Sequence, residues 1–241
     1  MDQEEQWLLT EKYKGMESEA FHADLTRLRD GEPLGYVIGS VPFINCDIAL
    51  DSHPLIPRVE TEYWTEKAIT EIQKTKNSTM LDLCAGSGAI GTAVAKAIPD
   101  VHVTFGEIDP VHLPTIIRNA ELNEITPERL TVTESNLFKN ISGTFDFILT
   151  NPPYIDPAVD RAEDSVKMHE PHLALYGGTG GMECITRIIE EAPQYLNKDG
   201  QLWIEHEPEQ SEAITALANK AGFHCITHKD QYRIERYSVL Q

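Results

Sequence analysis

The chain is poor in cysteine, in positive charge and in long apolar runs. Its four cysteines, Cys46, Cys84, Cys184 and Cys225, are widely scattered. No Cys-x-x-Cys pair or His-x-x-x-His cluster marks a zinc site, and the spacing does not fit a compact disulfide framework. Free thiols, and hence a cytoplasmic location, are the default expectation. Lysine and arginine number 20 against 39 aspartates and glutamates, so the formal net charge is −19. Nucleic-acid binders neutralise phosphates with Lys and Arg, so this balance opposes direct nucleic-acid binding. It favours a basic protein partner or a small ligand, although solubility alone would account for it equally. No apolar run approaches the roughly 20 residues of a membrane span. The opening residues, Met1-Asp2-Gln3-Glu4-Glu5, are acidic and carry no signal- or transit-peptide pattern. No internal repeat or low-complexity segment is present.

At 241 residues with 41% hydrophobic content, the chain can bury one large domain, or one domain plus a small appendage. Residues from about 5 to 30 are predicted helical, with Trp7, Leu8, Phe21, Leu25 and Leu28 as the apolar positions. Gly31-Glu32-Pro33 ends that region. Tyr36-Val37-Ile38-Gly39, Val41-Pro42-Phe43-Ile44 and Cys46-Asp47-Ile48-Ala49-Leu50 read as short strands of a hairpin-like linker. The expected division is a helical segment over 1–32, a β-hairpin linker over 33–56 and the main domain over 57–241.

From residue 79 the pattern alternates strand and helix, which predicts a mostly parallel sheet covered on both faces. The strands are expected at 80–83, 102–105, 130–132, 145–149 and 201–205, with a final antiparallel pair at 224–227 and 233–239. Helices are expected at about 60–74, 89–97, 111–122, 181–196 and 209–221. Pro114 must sit in the first turn of its helix, and Gly222 closes the last one.

The most informative residues follow the apolar run Phe145-Asp146-Phe147-Ile148-Leu149-Thr150. There Asn151-Pro152-Pro153-Tyr154 stops the strand, because each proline fixes its own φ and lacks an N–H. The first proline also pushes Asn151 towards an extended conformation. An amide side chain and an aromatic ring are thereby held at the carboxyl end of a strand, where open α/β sheets bind ligands. The Asn151 oxygen and the proline carbonyls suit a planar NH2 group, with Tyr154 available to stack on it.

A second constellation surrounds Cys84-Ala85-Gly86-Ser87-Gly88-Ala89-Ile90-Gly91, which follows the first core strand and opens a helix. It contains Gly86-x-Gly88-x-x-Gly91, and Glu107 falls at the end of the next strand, placed to accept from ribose hydroxyls. Two cofactors fit so far: a nicotinamide dinucleotide, with its pyrophosphate on the helix amino terminus, or S-adenosylmethionine. Asp82, inside the strand just before the loop, tilts the choice. A cationic amino acid head or a sulfonium tolerates a nearby carboxylate; a pyrophosphate does not. Asp82 could instead only cap loop N–H groups.

Taken together, these residues make the chain resemble a class I S-adenosylmethionine-dependent methyltransferase. More narrowly, it resembles the release-factor glutamine N5-methyltransferase family, from about Arg27 to the carboxyl terminus. The landmarks are Arg29-Asp30-Gly31-Glu32-Pro33-Leu34, Leu55-Ile56-Pro57-Arg58-Val59-Glu60-Thr61-Glu62, the glycine loop, Asn151 to Ile155, His169-Glu170-Pro171 and Trp203-Ile204-Glu205-His206. The second of these discriminates the family from a sister family acting on a ribosomal protein. The resemblance implies a Rossmann-like, seven-stranded, mostly parallel sheet with helices on both faces.

It also implies roles. Asp82, Cys84, Ala85, Gly86, Ser87, Gly88, Glu107, Ile108, Asn136, Leu137 and Asn151 would bind S-adenosylmethionine. Asn151, Pro152, Pro153 and Tyr154 would be catalytic and, with Glu170, would contact the substrate glutamine. Glu170 and His169 would equally serve to brace the adjoining loop, and His206 is assigned a structural role. Asp156 to His169 is expected to be a mobile or plain surface loop. Cys84 replaces the family's first loop glycine, so the backbone there should avoid positive φ. The partner implied is a class I peptide release factor, with no metal and no membrane, and the chain is expected to act as a monomer. The competing readings are a nucleic-acid adenine-N6 methyltransferase, a glutamine methyltransferase acting on a ribosomal protein, an NAD-dependent oxidoreductase and a non-enzymatic interaction module.

Overall fold

The computed structural model describes residues 1–159 and 162–241. The chain opens with helix α1 (Gln3–Trp7), a π-turn over Leu8–Lys12 and helix α2 (Glu19–Arg29). The single helix expected over 5–30 is therefore broken. Lys14 and Gly15 take positive φ, and Ser18 starts a new helix by accepting from the Phe21 N–H. Helix α3 (Leu34–Ile38) replaces the strand expected there. Pro33 fixes its start, Gly39 ends it at φ 96°, and Val37 packs into a small cluster with Leu8, Phe21, Leu25 and Leu28. The antiparallel pair β1 (Ser40–Phe43) and β2 (Cys46–Ala49) is the expected hairpin.

Helix α4 (Val59–Ile72) leads into the sheet: β3 (Thr79–Leu83), α5 (Ala89–Ala97), β4 (His102–Glu107), α6 (Leu113–Leu122), β5 (Leu130–Glu134) and β6 (Phe145–Thr150). Two short helices, α7 (Asp164–His169) and α8 (His172–Leu175), precede α9 (Glu183–Glu191). The chain then runs through β7 (Leu196–Glu205), α10 (Ser211–Ala221), β8 (Cys225–Lys229) and β9 (Glu235–Leu240). The segment 156–169, expected as a loop, ends in α7, and two of its residues, 160 and 161, lie outside the described ones.

Among the described residues, seven strands form one sheet in the order β5-β4-β3-β6-β7-β9-β8, with β9 antiparallel to both its neighbours. This is the mostly parallel α/β sheet that the sequence predicted. One apolar layer on it includes Trp64, Val94, Val103 and Phe105; the other includes Leu81, Leu83, Ile185, Ile188 and Ile204. Successive residues of β3 fall in opposite layers, so the strand must be apolar throughout, and Asp82 is the exception. The strand order reverses between β3 and β6, which opens a crevice at their carboxyl ends. Both sequence constellations lie there.

Candidate active site

The glycine loop leaves β3 in an unusual conformation. Cys84 lies at φ 60°, Gly86 at 55° and Gly88 at 75°. Cys84 thus takes the positive φ that it was expected to avoid. The loop is pinned on both sides of Ala85: Ala85 N–H donates to the Gly106 carbonyl at 3.1 Å, and Gly86 N–H donates to Glu107 Oε2 at 2.7 Å. These tethers over-determine the backbone and hold a non-glycine residue in a region costing about 1–2 kcal/mol. Burial and the neighbouring Glu107 carboxylate push the Cys84 thiol above its ordinary range. Glu107 accepts on its other oxygen from the Asp109 N–H at 2.8 Å, which fixes the carboxylate at the end of β4. Asn119 of α6 binds the Ala49 backbone on both sides and donates to the Ser87 carbonyl at 2.9 Å, so the hairpin and the glycine loop share one buried amide.

These elements enclose a cleft whose empty space, counted out to solvent, is about 1010 Å³. Cys84, Ala85, Gly86, Ser87, Glu107, Ile108, Asn136, Leu137, Asn151 and Pro153 all line it. Asp82 does not. It is wholly buried, and its Oδ2 accepts from the Gly91 N–H at 2.8 Å near the start of α5. Burial pushes its carboxyl well above the usual range. Asp82 is thus the capping residue of the alternative reading, and it contributes no surface to the cleft. Gly88 stands at the helix amino terminus, outside the lining.

The Asn151 turn is braced from behind. Gln210 Nε2 donates to the Tyr154 carbonyl at 2.8 Å, and the Gly177 N–H donates to the Ile155 carbonyl at 3.0 Å. A Cβ on Gly181 would lie 1.8 Å from the Tyr154 carbonyl oxygen, so the Gly177–Gly181 segment packs directly on the turn's backbone. The Asn151 amide nitrogen donates to Thr61 Oγ1 at 3.2 Å, which turns its oxygen away from Thr61. The Tyr154 hydroxyl donates to Glu205 Oε1 at 3.0 Å, and burial beside that carboxylate pushes the phenol well above its ordinary range. A second cavity lies beyond the turn, lined by Asn151, Pro152, Tyr154, Arg58 and Val166 among others. Leu55, Asn151 and Ala174 line both cavities.

Glu170 takes neither of these positions. Its side chain is 1% exposed, accepting from the Ile56 N–H at 3.0 Å and from Arg58 at 2.6 Å. Of the two roles weighed for it, the structure gives the brace: a buried carboxylate tying the segment after α7 to the start of α4. His206 is buried between Ser238 Oγ and the Glu207 carbonyl, away from both cavities, as the structural assignment requires.

Comparison with known proteins agrees with this geometry. A family model described as methyltransferase small domain matches residues 64–170. A Geobacter sulfurreducens protein named release factor glutamine methyltransferase is 35% identical over 208 residues, 85% of this chain and 72% of its own. A Rhodopirellula baltica protein of the same name is 34% identical over 231 residues, 92% of this chain and 78% of its own. The chain belongs to the release factor glutamine methyltransferase family. The fold alone is also shared with a solved methyltransferase from Pyrococcus furiosus. Its TM-score is 0.61 at 19% identity, covering 90% of this chain and 96% of that one.

For this member of the family, the sequence missed several wall residues. Phe43 from the hairpin, Leu55 and Pro57 from the approach to α4, Thr61 from its first turn, and Pro171, Leu173 and Cys184 all reach the cleft. They come from elements distant in sequence, and no local pattern announces them. The Ile-Pro-Arg-x-Glu-Thr-Glu stretch was the one usable signal, since three of its positions or near neighbours line the cleft.

Proposed function

We propose that the chain transfers a methyl group from S-adenosylmethionine to the side-chain amide nitrogen of the glutamine in the Gly-Gly-Gln loop of a class I release factor. The observation that carries this reading is that Asn151 stands in the wall common to two cavities, one beside the glycine loop and one beyond the turn. The residues present suit the cofactor. Gly86 has open space where a Cβ would project, Glu107 offers two fixed carboxylate oxygens, and the cleft wall is mostly apolar. Glu107 would hold the ribose hydroxyls. Cys84 to Ser87 would meet the amino acid end, and Ile108, Asn136 and Leu137 would flank the adenine. Bound there, S-adenosylmethionine supplies a methyl group made electrophilic by its sulfonium.

The chain's own part is placement and charge stabilisation. An amide nitrogen is a weak nucleophile, because its lone pair is delocalised into the carbonyl. Asn151 Oδ1 and the Pro152 carbonyl would accept its two hydrogens, orient it, and favour the positive charge that grows on it. Tyr154 would border the flat carboxamide from the second cavity. The division into a helical segment, a hairpin linker and a catalytic domain is retained with one change: α3 joins the helical segment, so the first boundary falls at Gly39. The enzyme is proposed to act as a monomer in the cytoplasm, on a protein and not directly on nucleic acid. Among the described residues, no helix is long and apolar enough to cross a membrane.

The test is mass spectrometry of a release factor incubated with the protein and S-adenosylmethionine. One added methyl on the loop glutamine is expected. An unmodified glutamine, or methyl recovered on DNA or RNA instead, would overturn the reading.

A further inference from the structure

Resting on that reading, we propose that Thr61 is a positioning residue: tied as a donor to Glu205, it can only accept from Asn151, and so it holds the Asn151 carboxamide with its oxygen towards the substrate. The two ends of a carboxamide have nearly the same shape, so packing alone does not choose between them. The choice matters here. An oxygen accepts the substrate's NH2, whereas an NH2 would face it donor to donor.

The hydrogen-bond chain makes the choice from its far end. Trp64 Nε1 can only donate, and it lies 2.6 Å from Glu205 Oε2, which must therefore accept. Thr61 Oγ1 lies 2.7 Å from the same oxygen and has a single proton to give. With that proton committed to Glu205, only lone pairs remain on Oγ1 to face Asn151 at 3.2 Å. Thr61, Trp64 and Glu205 are all buried, at 3%, 0% and 1% exposure, so water has little access to break the chain. Thr61 and Trp64 share one face of α4, three residues apart, and that face meets the carboxyl end of β7 at Glu205. The other Glu205 oxygen takes the Tyr154 hydroxyl. One buried carboxylate thus sets both side chains of the turn. Thr61 and Glu205 also give a further purpose to two sequence landmarks, Ile-Pro-Arg-Val-Glu-Thr-Glu and Trp-Ile-Glu-His.

The test compares Thr61→Val, which keeps the shape and removes the hydroxyl, with Thr61→Ser and Glu205→Gln. Turnover and KM for the release factor are measured beside the cofactor Kd from calorimetry. Thr61→Val should lower kcat by roughly 100-fold, the low end of what losing one transition-state hydrogen-bond partner costs, with cofactor Kd within about threefold. Thr61→Ser should recover to within about threefold of wild type. Glu205→Gln keeps one acceptor oxygen and should lose less than Thr61→Val. Wild-type kcat in Thr61→Val, or a loss of cofactor affinity matching the loss of kcat, overturns the proposal.

A second readout does not depend on the reaction. In 15N-labelled protein, the Asn151 side-chain amide, identified by its absence in Asn151→Ala, should exchange slowly with solvent in wild type and rapidly in Thr61→Val. Equal exchange in the two overturns the proposal. A wild type that binds cofactor but leaves the glutamine unmodified counts against the methylation reading, while the amide exchange still decides for or against Thr61.

Discussion

Asn151 and Glu107 line the same cleft, and the proposed reaction gives their side chains different work. On the proposed reaction Asn151 touches the reacting group, so its loss should appear in the chemical step. Asn151→Ala is expected to abolish methyl transfer while leaving cofactor affinity within about tenfold. Radiolabel transfer to a release factor, beside calorimetry, measures both. On the same reading Glu107 serves cofactor binding. Its two oxygens also hold the Gly86 and Asp109 N–H groups, so Glu107→Ala removes the ribose acceptors and releases the loop together. Cofactor Kd should rise about 10- to 100-fold, the worth of one or two hydrogen bonds to a charged group; a Kd within threefold of wild type would refute the ribose assignment. Cys84 carries a different prediction. It pays a backbone cost at φ 60° that glycine would not. Cys84→Gly should therefore leave unfolding free energy unchanged or raise it by up to about 1 kcal/mol, because the relieved strain offsets glycine's greater unfolded-state entropy. A loss of more than about 1 kcal/mol in urea unfolding would show that the thiol's packing outweighs the strain.

At the scale of elements, the close approach of α5 to the sheet depends on Gly91. A Cβ there would lie 2.3 Å from the Phe105 ring and 2.9 Å from Val103 Cγ1. Gly91→Ala should cost about 1–3 kcal/mol despite alanine's better helix propensity, because overpacking exceeds the propensity gain of about 1 kcal/mol. Denaturant unfolding checks the sign, and a stabilised variant would contradict the packing argument. Elements built on strong periodicity were legible in the sequence. The helix over Ala89–Ala97 and the strands around it fall where the pattern puts them. Leu34–Ile38 was not legible, because its branched and aromatic residues favour a strand by propensity. Pro33, Gly39 and the packing of Leu34, Val37 and Ile38 on the N-terminal cluster make it a helix. Side-chain tethers across 70 or more residues, such as Asn119 to Ala49 and Asn123 to Asp47, leave no local trace. The Asn151 turn was legible because prolines impose their geometry locally. Thr61 and Glu205, which hydrogen-bond its side chains, were visible only as letters in two motifs.

Over the whole molecule, two carboxylates hold distant parts together, and both respond to acid in the same direction. Asp24 joins Lys12, Tyr13 and Arg27 in the N-terminal unit, and Lys12 also reaches the Val37 carbonyl. Burial pushes the Asp24 carboxyl up, but the hydrogen bonds from Lys12, Tyr13 and Arg27 outweigh it and hold it below its ordinary value. Asp146 binds the Thr79 backbone and hydroxyl and Asn197 at the start of the central strands. It too is held below its ordinary value, with those bonds outweighing burial. A carboxyl depressed on folding stabilises the native state fully above its unfolded pKa of about 3.9. That contribution fades as pH falls below this value towards the folded pKa. Stability in urea should therefore be flat on this account above about pH 5 and decline from about pH 4 downwards. Asp24→Asn separates the two sites. It should lower hydrogen-exchange protection across residues 3–38 at neutral pH and weaken the acid-dependent step there, leaving the remainder to Glu5, which Arg29 also holds below its ordinary value, and the step in β3 and β6 to Asp146. An unaltered acid response over 3–38 in that variant would mean that Asp24 is not what fastens the N-terminal helices.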